Sequence, residues 1–447
     1  MTAILIKNAN VVNRGVISTK DVLIKNSRIE KIDNYISAHA DTEINAEGKY
    51  LLPGIIDDQV HFREPGLTHK ANIFSESRAA IAGGVTSFME MPNVNPPTVT
   101  QTLLQEKYEI ASKNSLANYS FFMGATNDNI EEVLKTNRKN VCGLKIFMGS
   151  STGNMLVDAP STLENLFSKV DMLIATHCED EATIRNSTEI IKKYLHNNNL
   201  EATASLHPYF RNREACYTSS SFAVGLAKKY NTRLHILHIS TAEELSLFDN
   251  KTPLIEKRIT SEACVHHLFF NDRDYPTLGN LIKCNPAIKS SNDQKAILKA
   301  VLDNTIDIIA TDHAPHTLEE KQRDYFSAPS GLPLVQHAIN IMLDFYHKGE
   351  ISLERIVEKM CHAPAQCFKI SERGYIDEGY KADLILVDLN KKLRVTNENV
   401  FYKCGWSPLN GREFTGGVDT TIVNGRIVFD KGKHIEGIMG ERILYEE

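Results

Sequence analysis

Between residues 54 and 316 the chain alternates short apolar runs with helix-length segments, and this alternation constrains its fold more than any other feature. The runs are GIIDDQVHF, VTSFMEMPN, YSFFMGAT, CGLKIFMG, DMLIATHCE, RLHILHIST, KRITSEACVHH and DIIATDHAPH. Short apolar runs bounded by turn residues read as buried strands, and strands that alternate with helices build a parallel sheet. Eight such units predict a (β/α)8 barrel.

The two ends of the chain read differently. AILIKNANVV, DVLIKNSRIEKI and the approach to YLLPG alternate apolar and polar residues, and so do ADLILVDL and GVDTTIVNGRIVF near the C-terminus. Lys-Asn and Asn-Gly turns punctuate both regions, the pattern of antiparallel strands. The expectation is a small β-sandwich domain built from both chain termini, residues 1–52 and 371–447, flanking a barrel over residues 53–370.

Composition narrows the function classes. The chain has 447 residues, 42% hydrophobic and 24% charged, ordinary values for a soluble globular protein. A net charge of -6 without a basic block argues against nucleic acid as a partner. No apolar run reaches about 18 residues, so no membrane span is expected. The N-terminal MTAILIKNANVVNRG alternates like a strand rather than a signal peptide. The eight cysteines are scattered, with no Cys-x-x-Cys pair, which predicts reduced thiols and a cytoplasmic location.

Polar residues stand at fixed places in the apolar runs. His61, Lys145, His177, His238 and Asp312 each fall at or just past the C-terminal end of a different predicted strand. That end of a barrel is where active sites form, because the strand ends converge there. A single histidine so placed is more often a satisfied buried imidazole, and His207, His235, His266 and His267 are read that way. Three histidines and an aspartate together offer the ligand types of zinc and similar divalent ions.

Lys145 and Asp312 each admit two readings. Lys145 either snorkels to solvent or reacts as a neutral amine with carbon dioxide, giving an anionic carbamate that can bridge two metals. Asp312 either caps a helix or takes a proton from metal-activated water and returns it to a leaving nitrogen. The second readings suit hydrolysis of an amide, or its reversal. Arg63, Asn93 and His316 form a reasonable clamp for a carboxylate. Arg63 lies on the wrong strand phase for that role unless the chain turns inward, and an ion pair with Glu64 is the rival reading. The run HTLEEKQRDYFSAPSGLPLVQHA, from His316, reads as a loop over the barrel mouth, with Gly331 in a turn.

The segments HFREPGLTHK, AAIAGGVTSFMEMPNVNPPT, GLKIFMGSSTG, THCED, HILHISTAEE, KCNPAIKS and ATDHAPH occur in this order, followed by WSPLNGREFTGGVDTTIVNGRIVF. In these segments the chain resembles the dihydroorotases of the amidohydrolase superfamily over essentially its whole length. The resemblance implies reversible cyclisation of N-carbamoyl-L-aspartate to L-dihydroorotate by a metal-activated hydroxide, in pyrimidine synthesis. It implies one or two zinc ions, on His61 and Asp312 and on His177 and His238, with a carboxylated Lys145 as bridge. Arg63, Asn93 and His316 would bind the substrate carboxylate and Asn285 the substrate ring. A homodimer is the family expectation, and some relatives serve as silent partners of aspartate transcarbamoylase. Hydantoinases look similar around the metals. Allantoinases tend to read HFNEPG where this chain reads HFREPG, so Arg63 favours a substrate with a free carboxylate.

One position departs from the pattern. Gln59 stands where the family has the first histidine of an Asp-x-His-x-His opening. Three readings follow: one zinc supports the chemistry, Gln59 or a water completes the first site, or the protein is catalytically silent. Retention of Lys145, His177, His238, Asp312, Arg63, Asn93 and His316 together favours activity.

Overall fold

A computed structural model describes residues 3–149, 155–437 and 439–446. The last four residues of GLKIFMGSSTG lie outside the described residues.

The N-terminal strands are β1 (Ala3–Asn13), β2 (Val16–Lys25), β3 (Arg28–Asp33), β4 (Thr42–Asn45) and β5 (Tyr50–Pro53). The barrel strands are β6 (Ile55–Val60), β7 (Val85–Glu90), β8 (Asn118–Phe121), β9 (Met123–Gly124), β10 (Leu144–Phe147), β11 (Ile174–His177), β12 (Leu234–Ile236), β13 (Ile259–Cys264) and β14 (Ile308–Ala310). The C-terminal strands are β15 (Leu384–Arg394), β16 (Glu413–Val423), β17 (Arg426–Asp430) and β18 (Lys433–His434).

The terminal strands join as expected. They form one mostly antiparallel nine-stranded sheet in the order β18-β17-β16-β15-β5-β1-β2-β3, with β4 also paired to β1. The two ends of the chain meet where β5 pairs antiparallel with β15, Pro53 opposite Leu384. Alternate residues of this sheet, among them Ile4, Ile6, Val22, Ile24, Leu384 and Leu386, pack into a separate apolar core.

The parallel strands run in two hydrogen-bonded arcs, β6-β7-β8 and β9-β10-β11-β12-β13-β14. β8 and β9 are pieces of one run separated by Phe122, so eight runs make up the ring. At the other seam, Val60 bridges to His313 just beyond β14, and the His61 N–H donates to the His313 carbonyl at 2.7 Å. The connecting helices start at side-chain caps, which satisfy otherwise orphaned N–H groups. Asn72, Thr100, Asp180, Asn212 and Ser290 each cap the helix that follows. Ile56, Met89, Phe122, Ala175, Leu237 and Ile308 form an apolar plug with Phe368 and Tyr445, from the segments that close the barrel base. Among the described residues no helix is long and apolar enough to cross a membrane.

One buried ion pair ties a helix to the strand beside the site. The Lys107 ammonium lies 3.1 Å from Glu90 Oε2, and both side chains are fully buried. Lys107 also donates to the Met91 carbonyl, and Glu90 Oε1 accepts from the Phe62 N–H at 2.9 Å. Burial pushes the Glu90 carboxyl up to about 7, so the carboxylate depends on its lysine. Removing one partner of such a pair strands the other charge at a cost of roughly 3–5 kcal/mol. Lys107→Met is therefore expected to lower unfolding stability by about that much in urea titration. The double variant with Glu90→Gln should recover much of it; an equal loss in both would show that packing, not the pair, is what the lysine supplies.

Candidate active site at the barrel mouth

A cavity of about 280 Å³ opens at the C-terminal end of the barrel strands. Gln59, His61, Arg63, Asn93, Lys145, His177, His238, Asn285 and Asp312 line it, with Phe147, Arg211 and Pro329 to Gly331. Eight of the nine residues singled out from sequence thus share one cavity. The ninth, His316, stands behind the wall, 3.1 Å from Arg63 through its Nε2.

Backbone conformation aims several of these side chains. Arg63, His238 and Asp312 all lie in the left-handed region, with φ of 69°, 39° and 45°. Such values are uncommon for residues with a Cβ and are retained where surrounding structure fixes them. For Arg63 this turn resolves the phase problem, because it swings the guanidinium into the cavity. The expected rival, an ion pair with Glu64, does not form; Glu64 instead accepts from the Ile73 N–H. Arg63 Nε donates to the Pro315 carbonyl at 3.0 Å.

The donor atoms fall into two groups. In the first, His177 Nδ1 and His238 Nε2 lie 3.0 Å apart. Burial lowers both imidazole pKa values, so both rings are neutral and can offer lone pairs. Glu179 Oε2 lies 3.0 Å from His177 Nε2 and fixes the proton there, leaving Nδ1 as the lone-pair nitrogen. His238 Nδ1 is buried without a hydrogen-bond partner. Two lone-pair nitrogens at this spacing match the bite of ligands about 2.0–2.1 Å from a tetrahedral zinc. In the second group, Asp312 Oδ1 is 3.0 Å from His61 Nε2, and His61 Nδ1 is 2.8 Å from Asn93 Oδ1. Burial opposes the Asp312 charge, but the His61 hydrogen bond and nearby positive groups outweigh it and hold the carboxyl below its ordinary value.

Lys145 does not snorkel. It is buried, its ammonium 4.6 Å from the centre of the Phe147 ring, and desolvation lowers its pKa to about 8. The lowered pKa enlarges the neutral-amine fraction that carbamate formation requires. Asp312 does not cap a helix: it follows β14 by two residues, and the next helix begins at Leu318.

Some contributors escaped sequence reasoning. Glu179 carries an ion pair from Arg211 as well as the contact to His177. Burial opposes its charge, but Arg211 and His177 bring its pKa down to about 2. A glutamate two residues past a candidate ligand was the available signal; nothing near Arg211 pointed to the site. Trp406, from the C-terminal segment, donates to the His316 carbonyl at 2.7 Å. The loop over the mouth, by contrast, was read from sequence: Pro329, Ser330 and Gly331 line the cavity, and a Cβ at Gly331 would sit 2.5 Å from the Ala314 carbonyl oxygen. Two further buried groups could hold an ion by spacing alone, Asp58 with His235 and Glu262, and His266 with His267 and Cys284. Only neighbours of these groups, Gln59 and Asn285, line the cavity.

A barrel mouth lined by neutral imidazoles, a carboxylate and a desolvated lysine defines a metal-dependent hydrolase. Residues 50–428 match the profile of the amidohydrolase family. A dihydroorotase of Methanosphaera stadtmanae is 30% identical over 431 residues, covering 96% of each chain. A dihydroorotase of Carboxydothermus hydrogenoformans is 33% identical over 436 residues, covering 96% of this chain and 98% of its own. Among solved structures, an L-hydantoinase (dihydropyrimidinase) from Arthrobacter aurescens matches with a TM-score of 0.92 at 25% identity, over 98% of both chains. The chain belongs to the amidohydrolase family, and the enzyme class expected from its sequence, a metal-dependent cyclic amide hydrolase, stands with these relatives.

Outer partners of metal-binding histidines typically matter 10- to 100-fold for metal affinity. Glu179→Ala is expected to weaken metal binding on the order of 10- to 100-fold in chelator competition, with the fold intact by circular dichroism. Unchanged affinity would remove Glu179 from the support of His177.

Proposed function

We propose that the protein is a dihydroorotase, interconverting N-carbamoyl-L-aspartate and L-dihydroorotate in pyrimidine synthesis. The observation that carries this reading is the state of the Arg63 fork. Lys70 Nζ lies 2.9 Å from His316 Nδ1, and Lys70 is itself paired with Glu320 at 3.1 Å. An ammonium can only donate, so His316 Nδ1 is the acceptor. Burial first, then neighbouring cations, keep His316 neutral, and its proton therefore sits on Nε2, 3.0 Å from the Ser330 carbonyl. An N–H nitrogen cannot accept from Arg63. The Nη2 edge of the buried guanidinium, 3.1 Å from that nitrogen, thus has no acceptor in His316, while Nε is anchored on Pro315 and the residue lines the cavity. A substrate carboxylate satisfies that edge; a ring without one leaves it desolvated and unmatched.

His177, His238 and a carboxylated Lys145 would hold zinc, which when bound polarises the scissile carbonyl and lowers the pKa of water. The chain's own groups do the rest. In the hydrolytic direction Asp312 takes the proton of the attacking water. The water oxygen bonds to the ring carbonyl carbon, the ring C–N bond breaks, and Asp312 returns the proton to the departing nitrogen. Asn93 holds His61 and lines the cavity, and Asn285, also in the lining, would contact the ring. His316 stands behind the fork, 3.1 Å from Arg63 Nη2.

The structural likeness to an L-hydantoinase supports a second reading, a ring-opening enzyme for substrates without the carboxylate. A silent partner of aspartate transcarbamoylase would have no need for this donor set. Hydrolysis of L-dihydroorotate, followed by loss of its ultraviolet absorbance, separates these readings. Zinc-dependent turnover of dihydroorotate and little of hydantoin is expected. Arg63→Met should lower kcat/KM for dihydroorotate on the order of 100-fold or more, the usual cost of unpairing a buried charge contact. Preference for hydantoin, or no turnover by folded zinc-loaded protein, would overturn the assignment.

A further inference from the structure

At Asp312 the polarity of the site is reversed. Gln59 Nε2 donates to Asp312 Oδ1 at 3.2 Å, the same oxygen that His61 Nε2 approaches. The Gln59 carbonyl oxygen points away, 3.6 Å from Cys264 Sγ, whose thiol has a second acceptor at the same distance in Glu262 Oε1. Both side chains are buried. The Asp312 contact fixes which way the amide faces, because turning it over would set an amide oxygen against a carboxylate oxygen. A cation beside Asp312 would therefore meet N–H groups where a ligand lone pair is needed. Asp58 offers no substitute, because its carboxylate lies 3.3 Å from His235 Nε2 and does not line the cavity. The His177 and His238 pair, by contrast, presents converging lone-pair nitrogens 3.0 Å apart.

We propose that Gln59, oriented by Asp312, puts a hydrogen bond where a cation would otherwise sit, so that this centre takes one metal ion, on His177, His238 and Lys145. Asp312 is then a base free of metal, aimed by His61 and Gln59. Gln59 is a positioning residue. The inference rests on the assignment of His177, His238 and Lys145 as metal ligands.

The test is metal content by inductively coupled plasma mass spectrometry on full-length protein, loaded with zinc and gel-filtered. One zinc per chain is expected for the wild type and none for His177→Ala. Gln59→His should take up a second ion. Gln59→Glu, which keeps the shape but replaces the donor by an acceptor, should do so as well and covers a folding failure of the first variant. With cobalt, the wild type should give an uncoupled high-spin signal in electron paramagnetic resonance, and the two-ion variants an attenuated one. Two zinc ions per wild-type chain would overturn the proposal, as would a full ion retained by His177→Ala or a single ion in both Gln59 variants. Turnover is measured on the same samples: dihydroorotate hydrolysis with two zinc ions sinks only this inference, and one zinc ion without hydrolysis sinks only the dihydroorotase assignment.

Discussion

The mouth of the barrel depends on the seam where the last strand meets the first. Thr311 donates to Asp57 from both its N–H, at 3.2 Å, and its hydroxyl, at 2.6 Å. One turn of chain further, His313 receives the His61 N–H on its carbonyl and the Leu334 N–H on Nδ1. Its Nε2 reaches Glu76 at 2.8 Å, on the first helix of the barrel. His313 and Glu76 are fully buried, so none of these groups has water as an alternative partner. His61 and Asp312, 251 positions apart, come within 3.0 Å because this seam leaves them nowhere else to go.

That seam also explains why strained backbone persists at the site. A residue with a Cβ at positive φ costs of the order of 1–3 kcal/mol, and Arg63, His238 and Asp312 all carry it. Each follows a strand whose last hydrogen bonds are made, so the chain must leave the ladder at once. An extended continuation would carry the side chain along the barrel wall. The left-handed turn delivers it to the axis instead. The cost is met by the ladder on either side, where Met91 and His61 are held by Val60 and His313.

What the sequence made legible follows from period and place. Apolar runs of strand length marked the barrel, and polar residues at their ends marked the cavity, because an apolar strand tolerates a polar side chain best where it opens. Arg63 was legible as a residue but not as a direction, since φ at a single loop position leaves no trace in pattern. Glu179 and His313 were hidden in another way. Both act at one remove, through His177 and through the seam, and a residue that orients a ligand has no spacing of its own. Arg211 belongs to the segment before a long helix, where an arginine is ordinarily solvated. Trp406 comes from the other end of the chain, and only the meeting of β5 with β15 brings that segment to the mouth.

The charges at the mouth separate by what answers them. Arg211 is answered by Glu179, whose second contact goes to His177. Lys70 is answered by Glu320. Lys145 has burial against it, which drives it toward the neutral amine, the form that the proposed carbamate needs. Arg63 cannot follow that course, because a guanidinium holds its charge: desolvation lowers its pKa only to about 10. Its near neighbours, the Pro315 carbonyl that accepts from Nε and the neutral His316, carry no charge to set against it. A buried cation flanked by neutral groups is stable only because the surrounding carboxylates act at longer range, and it gains most from an anion that arrives beside it. The same residue that would make an empty cavity costly is therefore the one that the proposed carboxylate substrate would answer.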